Sequence, residues 1–351
     1  MVNQAHSILN VPRDCFASGT LRESSETPQG NERQHDQGVT MKVTSSLIEL
    51  IGNTPLVDIS SIVPAGGAKL FAKLEYLNPG GSIKDRPALA MIEAAERDGR
   101  LEPGMTIVEP TAGNTGIGLA LAGNLKGYRT VFFVPDRMSH EKIVLMQLYG
   151  AEVFLVDKCH GMTGCIERAH AYAAQHGRCF VPLQFENPAN PEQAETRLGA
   201  EIEQQLGYVP DGMAIGAGTG GTFTGLARWL SNANPDSVRW LVQPEGSVFR
   251  GDEKRPYLVE GIGNSFVPKN LDLHLAHRIL DIPCTVAFAR CRDLARRLGI
   301  LTGGSGGANA EAAIQLCTQL GEGKSVITVF PDNLERYASK EWVRNLVQGE
   351  N

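Results

Sequence analysis

The chain has 351 residues, with 33 Lys and Arg against 39 Asp and Glu, for a formal net charge of −6. At about 150 residues per domain the length predicts two domains, and the acidic balance excludes a basic groove tracking nucleic-acid phosphates. The composition, 42% hydrophobic and 21% charged, suits a large packed core, and no apolar run approaches the ~20 residues that cross a bilayer.

Met1–Thr40 is polar, has no apolar periodicity beyond Ile8–Val11, and reads as a disordered arm rather than a signal or transit peptide. From Met41 onward strand and helix patterns alternate. Strands are predicted at Leu70–Leu74, Thr106–Glu109, Arg129–Val134, Glu152–Val156, Gly212–Ile215, Arg239–Gln243 and Ser325–Val329. Between and after them, helices are predicted at Asp85–Asp98, Gly116–Asn124, His140–Tyr149, Thr163–His176, Asn190–Leu206 and Thr222–Asn232. Further helices are predicted at Val286–Leu298, Ala308–Leu320 and Lys340–Val347. This alternation predicts an α/β fold with mostly parallel sheets flanked by helices. The seven cysteines are scattered, with no Cys-x-x-Cys pair, so neither a disulfide framework nor a metal site is expected, and a reducing cytoplasm is. Cys159, His160 and Cys165 in a glycine-rich stretch are weak evidence for a metal.

Three glycine-rich loops each follow a strand and open a helix: Glu109–Gly116, Gly216–Thr222 and Gly303–Ala308. Converging backbone N–H groups at a helix N-terminus bind anions, although any one such loop is as readily a tight turn. The second loop also fits Gly-x-Gly-x-x-Gly through Gly216, Gly218 and Gly221, with Glu245 beyond the next strand, so a dinucleotide enzyme competes on spacing alone. Lys84, in Gly80-Gly81-Ser82-Ile83-Lys84-Asp85-Arg86, sits where a glycine loop meets a helix start. A positive helix end lowers an ammonium pKa and frees the amine that a Schiff-base lysine needs; the plainer alternative is a solvated Lys-Asp pair. A carbonyl-binding lysine beside a phosphate-type loop describes pyridoxal 5′-phosphate.

The segments Gly80–Arg86, Glu109–Ala120, Gly218–Thr222 and Gly303–Ser305 occur in that order, with Ile51–Pro55, Gln184–Pro191 and Gly261–Gly263 around them. Together they resemble the cysteine synthase/cystathionine β-synthase family, fold-type II pyridoxal-phosphate enzymes related in fold to the tryptophan synthase β chain. The resemblance spans roughly Ser46–Trp342. It implies a larger cofactor-phosphate domain of residues 41–86 and 184–351 and a smaller, mobile substrate domain of 87–183. It also implies a homodimer acting on small amino acids.

By the same resemblance Lys84 holds the cofactor and moves the Cα proton, and Asn114 bonds the cofactor's 3′ oxygen. Gly218, Thr219, Gly220, Gly221 and Thr222 cradle the phosphate, and Ser305 faces the pyridine nitrogen. Thr111, Ala112, Thr115 and Gln184 contact the substrate α-carboxylate, with Gly261 among the substrate residues. The implied reaction is β-replacement on an activated serine through an aminoacrylate.

Departures from the family pattern leave the substrates open. Ala112 stands where relatives carry serine. The third loop and Arg255–Gly263 lean toward cystathionine β-synthases, while Gly246–Asp252 resembles synthases joining a phosphoserine-derived unit to glutamate. Sulfide, homocysteine or an amino group could be the nucleophile; a serine or threonine dehydratase is the remaining rival. Cys15 and His35 stand in an arm too polar to form a haem-sized apolar pocket, and no haem is expected there.

Overall fold

A computed structural model describes residues 43–348 apart from 112, 137 and 158. The polar arm, the Cys15/His35 pair and Ala112 lie outside the described residues. The elements run β1 (Leu56–Asp58), β2 (Lys69–Leu74), α1 (Asp85–Arg97), β3 (Thr106–Pro110), α2 (Asn114–Leu125) and β4 (Arg129–Pro135). They continue with α3 (His140–Leu148), β5 (Glu152–Val156), α4 (Gly161–His176), β6 (Cys179–Phe180), α5 (Ala189–Gln193) and α6 (Gly199–Leu206). Then come β7 (Gly212–Gly216), α7 (Gly221–Ala233), β8 (Val238–Pro244), β9 (Arg278–Ile282) and α8 (Cys284–Leu298), and finally α9 (Gly304–Leu320), β10 (Ser325–Phe330) and α10 (Glu341–Gln348).

Two sheets result, one of six strands in the order β1-β2-β10-β7-β8-β9 and one of four in the order β5-β4-β3-β6. Every pairing is parallel except β1 with β2. Central strands such as β10 are buried at every position, the signature of parallel strands covered by helices on both faces. The six-stranded sheet draws on residues 56–74 and 212–330 and the four-stranded sheet on 106–180, yet Thr44–Asn351 is one compact unit. Among the described residues no helix is long and apolar enough to cross a membrane.

In open parallel sheets, ligands bind beyond the carboxyl ends of the strands, where the strand order reverses and adjacent connections part. The large sheet reverses between β10 and β7, and the small one between β3 and β6. Both crevices belong to the site described below.

Three features were not legible in the sequence. Strands β1 and β6 have three and two residues, too few to show a period. Strand β9 is half exposed, with Arg278 and Asp281 breaking its apolar run. The helix expected over 190–206 is interrupted by a π-helical turn at Ala194–Leu198, where α7 comes close. A Cβ at Gly225 would lie 2.7 Å from both Ala194 Cβ and Glu195 N, so the widened turn receives the bare face of α7.

A buried charge cluster bolts the start of α1 to α6. Arg86 lies 2.7 Å from both Glu75 and Glu201, and Lys73 lies 3.1 Å from Glu201 and donates to Thr54 O at 2.6 Å and Gln205 Oε1 at 2.8 Å. Burial lowers the Lys73 pKa, and Glu201 and Glu75 oppose that shift. Two carboxylates against two cations leave no uncompensated charge, the condition on which a buried cluster is tolerated.

Candidate active site

Lys84 is the cap residue of α1, and its N–H donates to Ser82 Oγ at 3.2 Å. The preceding loop is fixed from three sides: Gly80 N donates to Asp85 Oδ2 at 2.5 Å, Arg336 donates to Gly80 O, and Gly52 N donates to Asn78 Oδ1 at 2.8 Å. Helix α2 crosses close by, since a Cβ at Gly118 would sit 2.8 Å from the Lys84 carbonyl. Burial drops the Lys84 amine from the ordinary 10.5 to about 8, against the opposing pull of the Asp332 carboxylate. The sequence suggested a helix end as the cause of such a drop; here desolvation dominates.

Lys84 lines a cleft with Gly216–Gly220, Thr222, Gly261, Asn309 and Val329. This is the crevice between β10 and β7. Gly220 takes a left-handed conformation at the cap of α7 (φ +88°), and a Cβ there would lie 2.6 Å from Leu271 N. At Gly218 a Cβ would run into the Gly261 carbonyl, and at Gly221 into the Asn190 side chain. Asn190 Nδ2 donates to Thr219 Oγ1 at 3.0 Å, and Asn309 Oδ1 accepts from Gly216 N at 2.8 Å. The loop is therefore bare backbone held on both flanks by buried asparagines.

The first glycine-rich loop closes on itself. Thr111 is buried, and its Oγ1 accepts from Gly113 N at 3.2 Å and Gly116 N at 3.1 Å. Thr115 Oγ1 donates to Gln184 Oε1 at 2.6 Å, and Gln184 Nε2 donates to Pro110 O at 3.0 Å. The expected substrate residues Thr111, Thr115 and Gln184 thus converge on the crevice between β3 and β6. The glycines of the third loop also serve helix packing. A Cβ at Gly304 would lie 2.8 Å from the Phe288 ring and one at Gly307 2.6 Å from Cys291 Sγ, so these glycines let α9 pack on α8. Ser305 is buried in the first turn of α9, and a Cβ at Gly261 would be 3.8 Å from its Oγ.

Asn114 is held in a network that the sequence did not announce. Its Nδ2 donates to Asp332 Oδ2 at 2.6 Å, its Oδ1 accepts from Arg336 Nη1 at 2.7 Å, and Tyr337 O–H donates to the same Asp332 oxygen at 2.6 Å. Beside it, Lys142 lies 2.9 Å from Glu260 and 4.1 Å above the Tyr337 ring. Burial pushes the Glu260 carboxyl up, but Lys142 and Lys340 together hold it below the usual range. Asp332 follows β10 by two residues, a strand-end position that marks candidate site residues in parallel sheets. Lys142 and Glu260 carry no such signal. A wider surface recess at Glu245, Arg250, Asp252 and Arg255 consists of exposed ion pairs away from Lys84.

Residues 47–332 match the family model described as pyridoxal-phosphate dependent enzyme. The chain is 44% identical over 303 residues to a cysteine synthase of Staphylococcus aureus (strain N315), covering 86% of this chain and 97% of that one. Among solved structures it is similar to an O-acetylserine-dependent cystathionine beta-synthase from Helicobacter pylori, with 38% identity and a TM-score of 0.81, covering 86% and 99% of the two chains. A hydrogen sulfide-producing enzyme from Fusobacterium nucleatum is similar to the same degree, with 38% identity, a TM-score of 0.81 and coverage of 84% and 100%.

Proposed function

The chain belongs to the family of pyridoxal-phosphate-dependent enzymes, and on that premise we propose that it exchanges the β-substituent of an activated L-serine, converting O-acetylserine and sulfide to cysteine and acetate. The observation that carries this reading is the shared cleft, where Lys84 and a glycine loop opening a helix line one space. That donor set fits pyridoxal 5′-phosphate, which offers an aldehyde to an amine and a phosphate to converging N–H groups. The loop leaves no room for side chains at three positions, since a Cβ at Gly218, Gly220 or Gly221 would drive into Gly261, Leu271 or Asn190.

Lys84 carries the cofactor in this reading, and its Nζ takes and returns the proton at the substrate Cα. Gly218, Thr219, Gly220, Gly221 and Thr222 hold the phosphate. Asn114, its amide oriented by Asp332 and Arg336, serves the ring oxygen. Ser305 serves the ring nitrogen; an uncharged hydroxyl does not keep that nitrogen protonated as a carboxylate would. Thr111, Ala112, Thr115 and Gln184 grip the α-carboxylate, with Gly261 beside them. When bound, the cofactor supplies a ring that withdraws electrons from Cα. The net change breaks the Cβ–O bond as acetate leaves and forms a Cβ–S bond to sulfide.

Residues 87–183 act as the substrate-gripping lobe and close over the bound amino acid, expelling water that would divert the reaction to pyruvate. The working form is a homodimer in a reducing cytoplasm, a setting that agrees with the free thiols at Cys165, Cys291 and Cys317. Sedimentation at twice the monomer mass tests the first part.

Homocysteine is the second candidate nucleophile, favoured by the similarity to the Helicobacter pylori enzyme and by the Arg255–Gly263 run. The test is a product assay that crosses O-acetylserine, O-phosphoserine and serine with sulfide, homocysteine and glutamate. Cysteine and acetate in equal amounts from O-acetylserine and sulfide is the expected result. Cystathionine as the faster product would select the second reading, and pyruvate with ammonia from every pair would refute β-replacement.

A further inference from the structure

We propose that Glu109 is a positioning residue that aims Gln184 at the substrate carboxylate, its two oxygens replacing the sheet acceptors lost where β3 and β6 part. The proposal rests on the carboxylate role given above to Thr115 and Gln184. Strands β3 and β6 pair only at Thr106↔Cys179 and Ile107↔Phe180. Beyond those pairs the chain leaving β6 is no longer paired with β3, and its N–H groups need acceptors other than the β3 backbone. Glu109, fully buried, provides both: Oε2 accepts from Leu183 N at 2.9 Å and Oε1 from Gln184 N at 3.0 Å.

The clamp holds a strained backbone. Leu183 has φ +58°, a conformation that ordinary residues keep only where the surroundings over-determine it. The Gln184 carbonyl is braced on its other side, accepting from Asn190 Nδ2 and Asn270 Nδ2, each at 2.9 Å. With the main chain held on both sides, the Gln184 side chain starts from a fixed point, and its amide is held by Thr115 at 2.6 Å and Pro110 O at 3.0 Å, with the second Nε2 hydrogen left for a carboxylate. Asn190 also donates to Thr219, so the same brace reaches the glycine loop on the other sheet. Burial pushes the Glu109 carboxyl up to about 7, and the two N–H donors oppose that rise. An apolar residue here would leave both N–H groups buried without an acceptor, so the acid answers to the two donors it serves. The two donors are consecutive, and the second is the N–H of Gln184 itself.

The experiment compares Glu109→Ala, Glu109→Gln and Gln184→Ala in the cofactor-loaded enzyme. Three quantities are read: KM and kcat for O-acetylserine, the ratio of inhibition constants for L-serine and L-serinamide, and amide hydrogen exchange at residues 183–184. Losing both acceptors is expected to raise KM about tenfold or more with kcat within about threefold, and to erase the preference for acid over amide as Gln184→Ala does. Exchange at 183–184 should accelerate in Glu109→Ala, with cofactor content unchanged. Glu109→Gln keeps one acceptor and should fall between the two, which preserves the test if the alanine variant does not fold. If Gln184→Ala erases the acid preference while both Glu109 variants keep it, Glu109 is not a positioning residue. If Gln184→Ala keeps the preference too, the carboxylate reading fails and the proposal falls with it.

Discussion

Lys84→Met is expected to lose β-replacement activity by about 10³-fold or more, since it removes a proton-transfer group worth up to ~10⁴ and the amine that holds the cofactor. The fold should survive, because what Lys84 gives the structure is backbone: its N–H reaches Ser82 Oγ at 3.2 Å and its carbonyl accepts from Ala88 N at 3.0 Å. In the cofactor-free protein the variant should even be more stable than wild type at neutral pH. The folded pKa of about 8 lies below the ordinary 10.5, so between those values the unfolded chain binds more protons than the folded one. Wild-type stability therefore rises with pH through that window, and below about pH 8 the folded state bears the full cost of the buried ammonium. Methionine has no proton to bind and removes the slope. Urea midpoints of the two cofactor-free proteins at pH 7 and pH 10 measure this; a gap that does not shrink at pH 10 would mean the amine is not desolvated.

The glycine loop Gly218–Thr222, the lysine segment Gly80–Arg86 and most helix starts were legible because each depends on local sequence; α9 is the exception, beginning at Gly304 where Ala308 was expected. Glycine where no Cβ fits, an amine at a helix start and a strand-to-helix break all leave marks within ten residues. The side chains that orient them left marks of position, Asp332 at a strand end and Glu109 and Asn190 inside motif segments, but none that names a partner. Glu109, Asn190, Asp332 and Arg336 act on partners far along the chain, Asn114 with Arg336 across 222 positions and Asn190 with Thr219 across 29. No periodicity encodes such a pairing; only the reversal of strand order brings it about. The third loop shows the converse ambiguity. Its glycines look like an anion loop in sequence, and in the fold they are contact points for two helices, because a missing Cβ serves close packing as well as ligand approach.

Gly220→Ala is expected to destabilise the protein by ~2–4 kcal/mol, at the upper end for single substitutions, and to weaken pyridoxal 5′-phosphate binding at least about tenfold. Two costs combine. A left-handed conformation alone costs a Cβ-bearing residue ~1–2 kcal/mol, and the new Cβ would lie 2.6 Å from Leu271 N and 2.7 Å from Leu271 Cα. Both are backbone atoms, which cannot swing aside as a side chain can. Relief requires moving the turn at Pro268–Leu271, and Asn270 in that turn is the donor that braces the Gln184 carbonyl at 2.9 Å. The damage should therefore reach the amino-acid side of the site as well as the phosphate side. Gly66→Ala separates the two costs, because Gly66 has φ +81° and no heavy atom within 4 Å of a new Cβ. It bears the conformational cost alone and should leave cofactor affinity unchanged. Denaturant unfolding and absorbance titration of the cofactor-free proteins give both quantities for both variants. Equal destabilisation of the two, with cofactor affinity intact in Gly220→Ala, would show that the loop yields to the side chain and that close backbone approach is not what shapes the cradle.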